Sequence, residues 1–182
     1  GDWNAQEWQT VAELPPMTIL GTPGMPAPYS SRSRVAADEN NIYIFVLSKD
    51  IPGRIWETER GAQGTPWFAD SAEFWIQRKT GGSQILHAVV DAANHTYAEH
   101  MQLTPKADAK AEQLAEAPFT TDIRTFSDGW SVLFTLPRKN FQGDVLAFNI
   151  MRNRSHAGAL SNYTTVPGNA YFCGEVYFLK LQ

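Results

Sequence analysis

The sequence has almost no cysteine, no long hydrophobic run and no excess of positive charge. Its single cysteine, Cys173, excludes an intramolecular disulfide and a cysteine-ligated zinc cluster. No apolar run approaches the roughly 20 residues that a membrane-spanning helix needs. Lys and Arg number 15 against 19 Asp and Glu, a net charge of −4, whereas nucleic-acid-binding domains usually carry a concentrated basic face. We therefore expect neither a membrane span nor a nucleic-acid partner.

The composition is that of a folded globular domain. Hydrophobic residues make up 43% and charged residues 19% of the 182 positions, which is too apolar for a disordered chain. A chain of this length buries roughly 70% of its unfolded surface without a disulfide or metal. The sequence begins with Gly1 and not with Met. We predict one domain over residues 1–182, excised from a longer or secreted protein.

Short apolar or alternating runs separated by turn residues dominate the chain, which is typical of an antiparallel sandwich or barrel. We predict an all-β fold, an antiparallel, jelly-roll-like β-sandwich with short peripheral helical segments. Ile42–Leu47 is apolar on both faces, which predicts a central strand in a hairpin with Arg34–Ala37. The other predicted strands are Ser71–Arg78, Ile85–Asp91, Thr96–Met101, Thr120–Thr125, Trp130–Leu136, Val145–Asn153 and Cys173–Leu181.

Four stretches interrupt the strand pattern. Ala5–Leu14 predicts one or two helical turns, with Trp8 covering an open end of the sandwich. Pro105–Ala117 has helical propensity but little apolar stripe, which predicts a partly helical surface excursion. Asp50–Phe68 and Arg154–Ala170 are predicted as long loops, and loops of that length in compact domains are often functional.

The sequence contains no recognisable catalytic motif. It has no paired zinc-protease histidines, no phosphate-binding glycine loop, no dinucleotide fingerprint and no serine nucleophile elbow. Asp70 and Glu73 could form a carboxylate pair for glycoside cleavage, but two nearby carboxylates occur in most domains. We therefore expect a protein that is not an enzyme.

The six tryptophans divide into two groups. Trp130 begins an alternating apolar strand and is assigned to the core. Trp56 and Trp67 lie in the long Gly- and Pro-containing loop near carboxylates. An indole face packs on the C–H face of a sugar, whose hydroxyls need polar partners such as carboxylates. The residues support equally well an alternative in which Trp67 only caps the end of the sandwich.

Six segments, in a fixed order along the chain, are similar to the blocks of one family. They are Gly1-Asp2-Trp3 with Trp8, Asp38-Glu39-Asn40-Asn41-Ile42-Tyr43, Pro66-Trp67-Phe68-Ala69-Asp70-Ser71-Ala72-Glu73-Phe74, Gly129-Trp130 with Leu136-Pro137, Ala147-Phe148-Asn149-Ile150 with Arg152, and Cys173-Gly174. In this order they resemble the family 9 carbohydrate-binding modules and the related DOMON-like sandwich group. The resemblance covers nearly the whole chain and implies a β-sandwich.

The resemblance also implies a function and a site. It implies non-catalytic binding of a glycan terminus, a monosaccharide or an oligosaccharide in a concave groove, through aromatic stacking and hydrogen bonds. Trp67 falls on the first of two clamping rings and Glu73 on a hydroxyl-binding carboxylate. The last loop has no Trp, which leaves Tyr163 or Tyr171 for the second ring. The remaining candidate sugar-binding residues are Asp70, Trp75, His87, Asn149 and Arg152.

The sequence also differs from the family pattern at several positions of the implied site. His87 and Val89 occupy positions where the family has Gln and Arg, and Met151 occupies that of a later Gln. These departures predict a sugar site that is either altered or lost relative to the family.

Strand alternation tests the site independently of the resemblance. If Glu73 faces the groove, alternate residues of the neighbouring strands face it too. Such a face is too polar for a sandwich interior unless every group is paired, so it indicates a wet ligand surface or, alternatively, a solvated outer face. The residues expected on this face are Glu73, Trp75, Gln77, His87, Asp91, Asn149 and Met151.

The resemblance extends to cofactors, partners and location. It implies a bacterial protein that is secreted, periplasmic or on the cell surface, attached to a glycan-processing enzyme in polysaccharide catabolism. It also implies structural calcium, with Asp38, Asp50 and Asp70 as candidate ligands. Two other functions stay open. One is an accessory domain whose groove packs on a neighbouring domain of the same polypeptide. The other is haem b binding, with candidate ligands Met101, Met151, His87, His95 and His100.

Overall fold

Two antiparallel sheets pack face to face, which confirms the predicted β-sandwich. The structure, a computed structural model, describes residues 2–22, 24–103, 109–156, 159–164 and 177–180. Its strands are β1 (Thr18–Ile19), β2 (Ser31–Ala37), β3 (Asn41–Lys49), β4 (Ser71–Gln77), β5 (Gln84–Asp91), β6 (Thr96–Leu103), β7 (Ala109–Gln113), β8 (Thr120–Phe126), β9 (Gly129–Pro137), β10 (Val145–His156), β11 (Ala159–Thr164) and β12 (Tyr177–Lys180).

The larger sheet has the order β1-β11-β10-β4-β5-β6-β7, and β12 also pairs with β10. The long strand β10 makes this possible, since one of its edges pairs with β4 and the other is shared between β12 and β11. The smaller sheet has the order β2-β3-β9-β8. Strand β3 is therefore central, as its two apolar faces predict.

The core lies between the sheets and is built by alternation along the strands. Ala72, Phe74 and Ile76 of β4 all point inward and are fully buried. The ring of Phe74 meets that of Phe134 on the smaller sheet edge-on, with centroids 5.0 Å apart. Trp130 lies in the same cluster with no exposed surface, as predicted. Alternation thus leaves the opposite face of β4 free to carry polar side chains.

The N-terminal segment packs on the outer face of the smaller sheet rather than across the predicted open end. Helix α1 (Gln6–Gln9) is a single turn. Its Trp8 meets Phe45 edge-on at 5.0 Å between ring centroids, and Trp3 packs against the same ring. The reason is that Phe45 and Leu47 make this face of β3 apolar, so it must be covered.

No helix among the described residues is long and apolar enough to cross a membrane.

Three predicted irregular stretches contain regular structure. Pro105–Ala117 contributes the edge strand β7 instead of a helix, and Arg154–Ala170 contains β11. Asp50–Phe68 contains the short helix α2 (Glu59–Ala62) and a 3-10 turn at Pro66–Phe68. Of the last predicted strand, β12 is described, whereas Cys173 lies outside the described residues. The long loop is therefore a structured arm that leads into β4.

Candidate functional site

A groove of about 450 Å³ lies on the outer face of the larger sheet. Its floor comes from alternate residues of β4, β5 and β10, and the 3-10 turn forms one wall. Glu73, Trp75, His87 and Met151 all line it, as strand alternation predicts. The full lining is Leu20, Trp67, Phe68, Glu73, Trp75, His87, Tyr97, Glu99, Met151, Asn153, Leu160 and Asn162.

The imidazole of His87 lies between two carboxylates in this groove. Its Nε2 is 2.8 Å from Oε2 of Glu73, and its Nδ1 is 2.8 Å from Oε1 of Glu99. His87 and Glu99 are direct cross-strand partners on β5 and β6, so the strand register itself sets the second contact. Tyr97, two residues before Glu99, donates its hydroxyl to Oε2 of Glu99 at 2.7 Å.

This arrangement determines the charge of the groove. Burial lowers the pKa of His87, but the two carboxylates outweigh it and raise that pKa to about 9. The hydrogen bond from His87 lowers the pKa of Glu99. Burial and Glu99 together raise the pKa of Tyr97 to about 12. At neutral pH the imidazole is therefore cationic and the phenol neutral, and two carboxylates share one positive charge.

The network continues across the sheet from Glu73. Asn153 on β10 donates through Nδ2 to Oε1 of Glu73 at 2.7 Å and to Oγ of Ser71 at 3.1 Å. Asn162, the cross-strand partner of Asn153 on β11, donates to the Asn153 amide oxygen. A continuous row of hydrogen-bonded side chains thus crosses five strands. Each hydrogen bond in the row fixes the orientation of the next side chain, so these polar groups are held in place.

Aromatic rings form the wall beside this network. Trp67 lies in the 3-10 turn Pro66–Phe68. Pro66 occupies the first position of this turn, where the fixed φ of proline is tolerated. The half-buried indole of Trp67 meets Tyr97 edge-on at 4.8 Å between centroids and Phe68 at 6.0 Å. The Phe68 ring is 50% exposed. Trp67 therefore stands beside the groove and is not sealed in the sandwich core.

Trp75 has a different place from Trp67. It is 1% exposed and packs with Ile85, Ala147 and Met151 beneath the groove. Its indole lies parallel to the His87 ring. Trp75 thus supports the floor and does not offer a free face for stacking.

Four of the predicted sugar-binding residues that the structure describes do not line the groove, namely Asn149, Tyr163, Asp70 and Arg152. Asn149 is fully buried, and its Oδ1 accepts hydrogen bonds from the Ile150 N–H and the Thr164 hydroxyl. Tyr163 belongs to the core between the sheets and is 2% exposed, so its ring does not face Trp67 across the groove. Tyr171 lies outside the described residues.

Asp70 and Arg152 belong to an ion cluster that joins the two sheets. Arg152 of β10 donates to the backbone oxygen of Lys49 and to Oδ2 of Asp50, both at 2.8 Å. Arg54 forms two 2.8 Å hydrogen bonds to the carboxylate of Asp70. Both side chains are buried away from the groove, so the structure does not bring Asp70 and Arg152 together with Glu73 and His87.

The candidate calcium ligands Asp50 and Asp70 do not fit a cation in this arrangement. Three guanidinium groups, of Arg54, Arg152 and Arg154, lie 2.7 to 3.1 Å from the Asp50 carboxylate. They already supply the positive charge that calcium would supply. Asp38 instead accepts hydrogen bonds that close the β2–β3 turn. Among the described residues, no three His, Cys, Asp or Glu side chains are grouped to hold a metal ion.

Four of the five candidate haem ligands, His87, His95, Met101 and Met151, are engaged in other contacts. Both ring nitrogens of His87 face carboxylates, and Nδ1 of His95 is 2.8 Å from Oδ2 of Asp91. Met101 and Met151 pack in the cluster around Trp75. Neither nitrogen of His87 is available to coordinate iron in this arrangement.

Sequence reasoning missed seven residues of the groove, namely Leu20, Phe68, Tyr97, Glu99, Asn153, Leu160 and Asn162. One signal was present for two of them. Asn153 lies two residues after Met151 in one predicted strand, and Glu99 lies two residues after Tyr97 in another. Residues two apart in a strand share a face. The register of the strands determines which residues are cross-strand neighbours, such as His87 and Glu99. The sequence alone does not give this register.

Comparisons with known proteins support the fold. No protein-family model and no curated protein matches the chain. Among solved structures, a family 9 carbohydrate-binding module from Caldicellulosiruptor kristjanssonii in complex with cellotriose is similar. The TM-score is 0.60 at 14% identity, covering 88% of this chain and 75% of that chain. The glucose complex of such a module from the same organism gives 0.58 at 15% identity, with 87% and 76% covered.

A third similar structure comes from Bacteroides uniformis ATCC 8492 and is provisionally described as a carbohydrate-binding protein. Its TM-score is 0.71 at 11% identity, covering 97% of this chain and 88% of that chain. At such low identities the similarity concerns architecture. The chain has the β-sandwich fold of family 9 carbohydrate-binding modules.

Proposed function

We propose that this chain is a non-catalytic carbohydrate-binding domain and that the groove holds the sugar. The observation that carries the proposal is the half-buried Trp67 beside the hydrogen-bonded row of Glu73, His87 and Glu99. A sugar needs both an apolar surface for its C–H face and polar partners for its hydroxyls. The groove offers the two side by side.

Each component has a distinct role in the proposed complex. Trp67, with the exposed Phe68 ring, packs against the C–H face of the sugar. The carboxylates of Glu73 and Glu99 accept hydrogen bonds from hydroxyls, and the amide of Asn162 donates. A hydrogen bond to a charged group contributes about 1.5 to 3 kcal/mol net. A few such bonds and one ring contact support a modest affinity.

The sugars bound in the similar structures are the first candidates for the ligand of this groove. Family 9 modules with this fold are seen with glucose and with cellotriose. We propose the same type of ligand, a glucose-like unit, for this groove. We also propose that the domain acts as an extracellular appendage of a larger glycan-processing protein.

Isothermal titration calorimetry with glucose and cellotriose, after a glycan array, tests the proposal. Wild-type protein should bind at least one array glycan, and Trp67→Ala should weaken its binding at least about tenfold, equivalent to about 1.4 kcal/mol. Phe126→Ala is the matched control, because this ring is 39% exposed on the smaller sheet. Absence of binding to every glycan, or equal binding after Trp67→Ala, would refute the proposal.

A further inference from the structure

A second pocket of about 770 Å³ adjoins the groove; we call it the distal pocket. Phe68 and Leu160 line both spaces. Both side chains are well exposed, at 50% and 37%, so they form a low apolar boundary between the two spaces. A ligand that lies on this boundary contacts the groove on one side and the distal pocket on the other.

The distal pocket repeats the combination of groups found in the groove. Trp56 lines it, and the Arg54 guanidinium lies 5.1 Å from the centroid of that indole, which fixes the ring. Oε2 of Glu57 accepts a hydrogen bond from the Ser155 hydroxyl at 2.8 Å. Glu59 and Arg60 are exposed at the rim. Apolar ring surface and hydroxyl-binding groups are again adjacent.

The charge on this combined surface is predominantly negative. Glu57, Glu59, Glu73 and Glu99 line the two spaces, against the positive charges of Arg60 and of protonated His87. A uronic-acid or sulfated glycan would meet an excess of like charge, which disfavours its binding. An uncharged sugar chain meets no such repulsion and finds hydrogen-bond acceptors and donors beside the apolar rings.

We propose that the groove and the distal pocket form one binding surface for an uncharged linear oligosaccharide that crosses Phe68 and Leu160. The inference rests on the proposed function and adds to it a second subsite. One sugar unit lies beside Trp67, and units further along the chain reach Trp56, Glu59 and Arg60. The affinity should therefore rise with chain length beyond what the groove alone provides.

Calorimetry with glucose and the cello-oligosaccharides up to cellopentaose, and with xylo- and manno-oligosaccharides of matched length, tests this. The association constant for the preferred series should rise about tenfold between the monosaccharide and the tetrasaccharide, which is one added contact of about 1.4 kcal/mol. The double variant Glu59→Ala/Arg60→Ala should abolish this rise and leave the monosaccharide affinity within about twofold.

The matched control is Glu39→Ala/Lys139→Ala, an exposed acidic and basic pair at the turns of the smaller sheet. It should preserve the dependence on chain length. If monosaccharide and pentasaccharide bind equally, the inference is wrong while the proposed function stands. Tighter binding of oligogalacturonate than of every neutral series would also overturn the inference. If neither these series nor any array glycan binds, the proposed function itself fails.

Discussion

The imidazole ring of His87 lies parallel to the indole of Trp75, with the ring centroids 4.6 Å apart and 2° between the planes. The same imidazole makes hydrogen bonds to Glu73 and Glu99 in its own plane. A cation above an indole face is stabilised by the ring quadrupole, so stacking and ion pairing favour the same protonated form. The floor of the groove therefore depends on the charge of one histidine.

The first prediction concerns the pH dependence of stability. The pKa of His87 in the folded state is raised from 6.5 to about 9. The contribution of this group is therefore fully present below about pH 6.5 and is lost as the pH rises through about 9. We expect wild type to exceed His87→Gln by about 2 to 3 kcal/mol near pH 6, with the difference shrinking above pH 8. Urea unfolding of both proteins between pH 5.5 and 10 measures it.

Acidic pH should remove a different contribution to the stability of the same network, that of Glu99. His87 lowers the pKa of Glu99 in the folded state. The contribution of Glu99 to the free energy of unfolding is therefore present above its unfolded-state pKa and is lost as the pH falls through its folded-state pKa. A Glu99→Gln variant should thus approach wild-type stability in acid. A wild-type advantage over His87→Gln that stays constant from pH 6 to pH 10 would contradict this account of the groove.

The second prediction compares a buried ion cluster with a surface ion pair. Asp50→Ala leaves the guanidinium groups of Arg152 and Arg154 without their carboxylate in the interior. Removing one partner of a buried pair costs about 3 to 5 kcal/mol. Asp128→Ala removes only a pair with Lys49 in which both side chains are about 40% exposed, worth at most about 1 kcal/mol. The free energy of unfolding in urea measures both.

Equal losses for the two substitutions would show that the cluster does not join the sheets. Added calcium or a chelator should leave wild-type stability unchanged at this site, because the arginines hold Asp50. A calcium-dependent rise in the melting temperature that disappears in Asp50→Ala would reverse that conclusion.

Alternation predicted the fold and one face of the site. In β4, the inward Phe74 and the outward Glu73 follow from the period of two, and the strand β3 follows from its apolar faces. Strand β7 was missed because its Ala, Lys and Glu residues have helical propensity. At a sheet edge, pairing with β6 overrides that preference.

The errors at the site have a different origin. Arg152 is adjacent to Met151 in β10, so alternation points the two side chains to opposite faces. The family resemblance had nevertheless placed both Arg152 and Tyr163 at the sugar. The burial of Tyr163 in the core could not be predicted, because β11 lacks a strong apolar pattern and its residues resemble a loop. The partners Glu99 and Asn162 depend on strand register, which is set by contacts far apart in the chain.

The last prediction concerns Gly61 in α2, which approaches the turn after β5 closely. A Cβ at this position would overlap Oδ2 of Asp91. Asp91 is fully buried, accepts hydrogen bonds from the N–H groups of Ala93 and His95, and cannot withdraw. Gly61→Ala should therefore displace α2 and destabilise the protein by about 1 to 3 kcal/mol.

The displacement should also reach the sugar. The N–H of Thr65 bonds to the backbone oxygen of Arg60 in α2, and the turn that carries Trp67 follows directly. Gly61→Ala should thus weaken glycan binding in calorimetry even where the protein is fully folded. The neighbouring exposed position serves as the control, since Ala62→Ser should change stability by no more than about 0.5 kcal/mol. Wild-type stability and binding in Gly61→Ala would mean that α2 does not hold the Trp67 turn in place.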